Sequence, residues 1–284
     1  MPPRTRIPTA SDFASLSPQL TVSLHFPNPP ESTTAILLLF HGLGDSEAPF
    51  ASFARAISLP GVLAISVRGT TPLPPSLLGL DPDPPAAAGR APAPRHFHWG
   101  DDLTLARAGG DALDADPGFD RAAGRVLDRL VRGVLGDECG WLPRDVLLLG
   151  FGQGGALALG LASRARMGAR VEEVADGERA AGKEDEAAAR RRRRAFKGVV
   201  SIGGPLPPSM IPSESARPRA ETPVLLCCGS ASEDLDEDAV DLVRREFVDV
   251  EVARWKKADD GMPSNREEML PIMKFFAERL RDGW

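Results

Sequence analysis

The sequence predicts an α/β protein: an open, mostly parallel, doubly wound sheet in a single domain. Three observations carry that expectation. Short runs of Val, Ile and Leu recur along the chain, and they are continuous rather than alternating, the pattern of strands buried on both faces of a parallel sheet. Amphipathic helical patterns lie between them, so strand and helix alternate. The 284 residues, 42% of them hydrophobic, are enough for one sizeable core.

Taken in order, residues 1–19 read as an N-terminal tail and residues 20–284 as the domain. LTVSLHF (20–26) alternates apolar and polar residues and suits an edge strand. Buried strands are expected at AILLLF (35–40), GVLAISV (61–67), DVLLLGF (145–151), KGVVSI (197–202), TPVLLCC (222–228) and VEVARW (250–255). DPGFDRAAGRVLDRLVRGVL (116–135) offers Asp116 as N-cap and Pro117 at the first helical position, with Phe119, Ala123, Val126, Leu130 and Val134 down one face. In SNREEMLPIMKFFAERL (264–280), Ser264 and Glu267 have capping-box spacing and Met269, Met273, Phe276 and Leu280 repeat helically. Pro271 leaves the start of that helix open.

Two segments read as insertions, at about 70–96 and 163–197. The first is proline-rich and reads as a long loop. The second is charged and alanine-rich, a helix extension or an excursion from the domain. Its run Arg190 to Arg194, offset by Glu184, Asp185 and Glu186, reads as a solvated face, with a nuclear address or an anionic-surface patch as alternatives.

A net charge of −6 argues against a nucleic-acid partner, which needs a basic excess to neutralise phosphates. Cys139, Cys227 and Cys228 have no spacing that suggests a disulfide framework or a zinc site, so a reducing, cytoplasmic location is expected. The first residues lack the apolar stretch of a signal peptide. No transmembrane segment is expected, because no stretch approaches the ~20 apolar residues needed to cross a bilayer.

The chemistry concentrates at two strand ends. Val146 to Leu149 runs into GFGQGGALALG (150–160), a sharp turn that ends a strand and opens a helix, with glycine at 152. LLLF (37–40) runs into His41-Gly42-Leu43-Gly44-Asp45, whose glycines let the backbone turn and aim N–H groups inward.

With HGLGDS, GFGQGGALAL, KGVVSIGGPLP, PVLLCCG and DGMPSNREEM in this order and spacing, the chain resembles the phospholipase/carboxylesterase family that includes the acyl-protein thioesterases. The resemblance runs from about Ala35 to Trp284, apart from the two insertions. It implies an α/β-hydrolase fold and a pocket at the carboxyl ends of the strands. It also implies an acyl-chain or ester-like ligand, hydrolysis of carboxylic esters or thioesters, and no cofactor. Carried over position by position, Leu43 and Gln153 match the family's oxyanion-hole residues. Its serine falls on Gly152, its aspartate on Ser232 and its histidine on Met262, so the triad is degenerate.

One check needs no resemblance: the histidines are His25, His41, His96 and His98, and none follows. In α/β-hydrolases the triad runs Ser, acid, His along the chain, so the base belongs near the C-terminus. Without an imidazole there, a serine would lack the group that takes its proton. Glu233, Asp234 and Asp236 can enter the acid position if the loop shifts, but an acid only orients a histidine.

Other pocket candidates follow. His41 reads as structural, fixing the loop that holds Leu43, and Trp99 matches an aromatic segment that borders the family's substrate channel. His98 is a candidate substitute base. Cys228, at the carboxyl end of a strand, is a candidate nucleophile or else a small core residue. His96 and His98 followed by Asp101 and Asp102 superficially suit a metal, but no third or fourth ligand is evident nearby and no metal is expected. Three functions stay open: a catalytically inactive hydrolase relative, or pseudoenzyme, that binds an acyl ligand; an active hydrolase using His98 or Cys228; and a protein-interaction module acting through the charged insertion.

Overall fold

The computed structural model describes residues 5–74, 77, 95–103, 114, 116–165, 194–213 and 218–281. Seven strands form one sheet: β1 (Val22–His25), β2 (Ala35–Phe40), β3 (Val62–Val67), β6 (Val146–Phe151), β7 (Gly198–Ile202), β8 (Val224–Cys228) and β9 (Val250–Arg254). Their spatial order is β1-β3-β2-β6-β7-β8-β9. All neighbours are parallel except β1, the antiparallel edge strand. Two short strands, β4 (Thr71–Pro72) and β5 (Phe97–His98), make a separate antiparallel ribbon.

Successive side chains of a strand face opposite sides of the sheet, so each apolar run feeds two cores. Ile36, Leu38, Phe40, Leu148, Val199, Leu226 and Cys228 enter one of them. There they meet the helix α2 (Asp120–Gly124), its wider-turned continuation Arg125–Glu138, and α3 (Gln153–Ala165). Leu37, Leu39, Leu147, Leu149, Val200 and Cys227 enter the other. That core is covered by α1 (Glu47–Ile57) and by the last helix, here α5 (Arg266–Arg281). The helix α4 (Glu237–Glu246) adds Val240 and Val243 to the first core. Each fully buried Leu or Val contributes about 1.5–3 kcal/mol, which is why unbroken apolar runs were the legible signal.

Three local expectations are corrected. Residues 5–19 are a strap rather than a tail: Phe13 and Leu16 are buried in the first core. Trp141 Nε1 donates to the Arg6 carbonyl at 2.8 Å and Arg6 N to the Cys139 carbonyl at 2.9 Å. Next, the helix after Asp116 begins at Asp120, because Gly118 takes a left-handed turn (φ +73°) that Asp116 and Pro117 precede. Asp101 supplies the cap from a distant loop, its carboxylate accepting from the N–H of Asp120 (2.7 Å) and of Arg121 (3.0 Å). Asp116 instead accepts from the N–H and hydroxyl of Ser209. Finally, the cap of α5 sits one residue later than expected. Asn265 Oδ1 accepts from Glu268 N at 3.0 Å, and the Glu268 carboxylate reaches back to Ser264 N and Asn265 Nδ2. Pro271 lies inside the helix.

The insertions at 70–96 and 163–197 lie largely outside the described residues, including the run Arg190 to Arg193. Among the described residues, no helix is long and apolar enough to cross a membrane.

Candidate functional site

The chain leaves β2 for β3 on one side and later returns to place β6 on the other, so the strand order reverses between β2 and β6. In register, Phe40 pairs with Gly150, and their two carboxyl ends open together. Ligands of open α/β sheets bind in such a crevice. The two glycine turns singled out in the sequence leave from these two strand ends.

The β2 turn is fixed by His41. Its Nε2 accepts from Gly69 N at 2.8 Å, which requires the proton on Nδ1, and Nδ1 donates to the Gly42 carbonyl at 2.7 Å. Both ring nitrogens are thus engaged in holding backbone, and the residue is wholly buried. Trp99 closes over it: the ring centroids are 5.0 Å apart and the indole N–H donates to the His41 carbonyl at 2.8 Å. Gly44 (φ +80°) completes the turn, leaving Leu43 37% exposed at its tip. His96 Nδ1 bonds the Gly44 carbonyl at 2.7 Å, and Gly44 N donates to the Phe97 carbonyl at 2.9 Å.

The β6 turn is dictated by close approach. A Cβ on Gly150 would strike the backbone of Gly154, one on Gly154 the Phe40 and His41 carbonyls, and one on Gly155 the Ser201 hydroxyl. Gly152 differs. It has φ +50°, yet a Cβ there would meet nothing within 4 Å. Its N–H donates to the Ile202 carbonyl at 2.8 Å and its carbonyl accepts from Ala156 N at 3.0 Å, so the strained turn is anchored on both sides. Gln153 opens α3, and its side-chain carbonyl accepts from Trp99 N at 2.8 Å, tying the β5 ribbon to the turn.

Ser232 and Met262 are positioned by loops after β8 and β9. Ser232 Oγ donates to Asp260 Oδ2 at 2.6 Å and accepts from Leu235 N at 3.1 Å. Asp260 Oδ1 accepts from Gly229 N at 2.7 Å. Asp260, which sequence reasoning missed, brings a carboxylate to the loop after β8 from the loop where the resemblance locates the histidine. Only its place two residues before Met262 hinted at this, because nothing local links 260 to 232. Met262 turns its side chain toward the second core. Its carbonyl and that of Gly261 accept from Lys257 Nζ, which also pairs with Glu268 at 3.3 Å and lies over the Trp255 ring. Glu268 is held below the usual carboxylate range, chiefly by the Ser264 N–H, with Lys257 and Asn265 adding to it. Among the described residues, no imidazole hydrogen-bonds to Ser232, Asp260 or the Met262 backbone.

Cys228 is buried at the end of β8, and burial pushes its thiol up against the smaller opposing effect of Arg254, whose Nη1 lies 3.6 Å from Sγ. A thiol kept protonated is a poor nucleophile. Asp234 is also pushed up, by burial first and then by Asp260 and Glu233. His98 is 3% exposed and its Nδ1 has no hydrogen-bond partner among the described residues. Among the described residues, no group of three or more His, Cys, Asp and Glu is arranged to hold a metal.

Burial lowers the pKa of both His41 and His98 below the ordinary 6.5, with the Arg121 charge adding to the effect at His98. The unfolded chain therefore takes up these protons first as pH falls. The stability the neutral rings contribute is whole above about pH 6.5 and is lost as pH drops through their folded values. Urea unfolding is expected to show stability falling below pH 6.5, with part of that slope removed by His98→Gln; a slope unchanged in that variant would refute the assignment to His98.

Comparison with known proteins bears on this arrangement. No family model matches the chain. An uncharacterized hydrolase of Schizosaccharomyces pombe is 31% identical over 124 residues, and the match spans 44% of this chain and 44% of that one. Among solved structures, acyl-protein thioesterase 2 of Zea mays superposes with a TM-score of 0.56 at 20% identity, covering 92% of this chain and 99% of that one. The carboxylesterase of Bacillus cereus gives 0.55 at 14% identity, covering 95% and 100%. The chain thus has the α/β-hydrolase fold, in the arrangement found in acyl-protein thioesterase and carboxylesterase structures.

Proposed function

We propose that the protein is a catalytically impaired relative of the carboxylesterases and acyl-protein thioesterases, retaining a site for an acyl or ester-like ligand at the β2 and β6 strand ends. The observation that carries this reading is Gly152. The turn around it keeps the close backbone approaches of a nucleophile elbow and leaves open space where a side chain would stand, yet holds no nucleophile. Support comes from the acid and base positions, where Ser232 is bonded to Asp260 and the half-buried Met262 packs against the second core. Leu43 and Gln153, the proposed oxyanion donors, act through backbone N–H groups, so their contribution does not depend on the missing side chains.

The alternative, an active hydrolase with an unorthodox group, has two named players. Cys228 is disfavoured by its buried, protonated thiol. His98 is held neutral, as a base must be, but sits within the β4–β5 ribbon. The reading as an interaction module depends on residues 163–197, most of which lie outside the described residues.

The expected result is no labelling by a serine-reactive fluorophosphonate, p-nitrophenyl ester hydrolysis at the buffer rate, and displacement of a fluorescent fatty-acyl probe by unlabelled fatty acid. Covalent labelling, or turnover that disappears in Cys228→Ala or His98→Ala, would overturn the impaired reading. Failure to bind the acyl probe would remove the ligand half of it.

A further inference from the structure

The β4–β5 ribbon and the first turns of the helix beginning at Asp120 gather polar groups that the candidate hydrolase site does not use. Among the described residues, His98 Nδ1 is buried with no hydrogen-bond partner, and so is Thr70 Oγ1, on the residue immediately before β4. Buried polar atoms are nearly always paired, because leaving one unpaired forfeits its hydration with nothing in return. The orphaned imidazole nitrogen within the ribbon needs an explanation.

The neighbouring cations supply one. Thr71 and His98 are directly opposed in the antiparallel pair, so their side chains share one face of the ribbon. Arg121 reaches that face, its Nη1 standing 3.5 Å from Thr71 Oγ1. Arg125, one helical turn on, approaches the Thr70 carbonyl with its Nη1 at 3.4 Å. Both contacts are long and made to neutral oxygens, and neither guanidinium pairs with a carboxylate among the described residues. Arg68 and Arg164, also beside this part of the fold, differ: Arg68 makes a two-pronged pair with Glu47 and Arg164 a pair with Asp120. Asp101 stands at the start of this helix, but its two oxygens already accept from the N–H of Asp120 and Arg121.

We propose that Arg121, Arg125, Thr71 and His98 form an oxyanion-binding subsite that takes the phosphate or carboxylate of a ligand. The guanidiniums provide charge and forked N–H donors, which match the planar or tetrahedral oxygens of such a group. The imidazole provides a neutral hydrogen-bonding group whose own partner is missing. The subsite adjoins the candidate crevice, because Trp99, the residue after His98, donates its N–H to Gln153. It does not depend on whether the protein hydrolyses esters, and a ligand could use it with the crevice filled or empty.

The test is a titration of the full chain with inorganic phosphate and, separately, with acetate at constant ionic strength, read by the imidazole nitrogen resonances of His98. Saturable shifts are expected in the wild type. They should weaken by about tenfold or more in Arg121→Gln with Arg125→Gln, the size expected for losing charge-assisted hydrogen bonds, and persist in Arg121→Lys with Arg125→Lys. Arg144→Gln, an exposed arginine elsewhere, serves as the control and should leave them unchanged. A response to phosphate alone identifies a phosphorylated ligand, and a response to acetate alone a carboxylate; either supports the subsite. No saturable shift with either anion, or shifts that survive the double glutamine variant, would overturn it. Circular dichroism of the double glutamine variant, expected to match the wild type, separates loss of binding from loss of fold.

Discussion

Gly152→Ser is expected to leave ester hydrolysis at the uncatalysed background while lowering stability by about 1–2 kcal/mol. The stability cost follows from φ +50°, a backbone conformation in which an L side chain crowds the following carbonyl. Space is not the obstacle, since a Cβ meets nothing within 4 Å. The absent activity follows from the histidines. His41 spends both nitrogens on the backbone of Gly42 and Gly69, His96 is bonded to Gly44, His25 lies in the edge strand β1, and His98 is buried within the β4–β5 ribbon. Losing the serine or the histidine of a triad costs about 10⁶ in kcat, so restoring one without the other recovers almost nothing.

The structure also changes which second substitution is informative. Ser232→Asp would set a new carboxylate against Asp260, whose Oδ2 now accepts from the Ser232 hydroxyl at 2.6 Å. The pair to build is Gly152→Ser with Met262→His, leaving Asp260 in place as the acid. Because the side chain at 262 packs against the second core, hydrolysis by the pair above the single variant's background would show that a histidine there leaves that packing for the strand-end crevice. Turnover in Gly152→Ser alone, measured with a p-nitrophenyl ester, would reveal a base among the groups described above and overturn the reading that acid and base are lost along with the nucleophile.

Trp99→Ala is expected to be the most destabilising single change in the site, by about 3–5 kcal/mol in urea unfolding. The side chain is fully buried, meets Phe40 edge-on with ring centroids 5.5 Å apart, and lies against His41. Truncation would leave a cavity and strip the His41 carbonyl of its indole donor at 2.8 Å. Trp99→Phe keeps most of the packing and loses the hydrogen bond, so it should cost about 1–2 kcal/mol. Equal losses in the two variants would show that packing is not what holds the β2 turn.

The sheet was legible because its signal is local. Each of the six apolar runs became a strand within a residue or two of the expected bounds, and five are buried because a strand covered on both faces needs apolar side chains at nearly every position; the sixth, β9, is not the buried strand expected but the other edge of the sheet, with Glu251 and Arg254 exposed. The glycine turns were legible for a related reason: close backbone contact at Gly150 and Gly154 admits no side chain, whatever surrounds them. Caps were less so. Asp116 has the right chemistry and the right spacing, but Asp101 took the position from nineteen residues away because the loop around Gly100 and Gly118 brings it there. The strap at residues 5–19 was misread because Phe13 and Leu16 lie too far apart from any periodic run to declare a buried face.

By itself, then, the sequence determined the alternation of strand and helix, the two turns at the strand ends, the glycine at 152 and the absence of any histidine beyond His98. These are properties of single residues and of short periodic runs. Only the tertiary structure decided that Asp260 reaches Ser232, that Met262 packs against the second core, and that His98 stands buried beside Arg121 with no partner for its Nδ1 among the described residues. Each of those depends on where two loops distant in sequence come to rest, and that is set by the packing of the whole sheet beneath them.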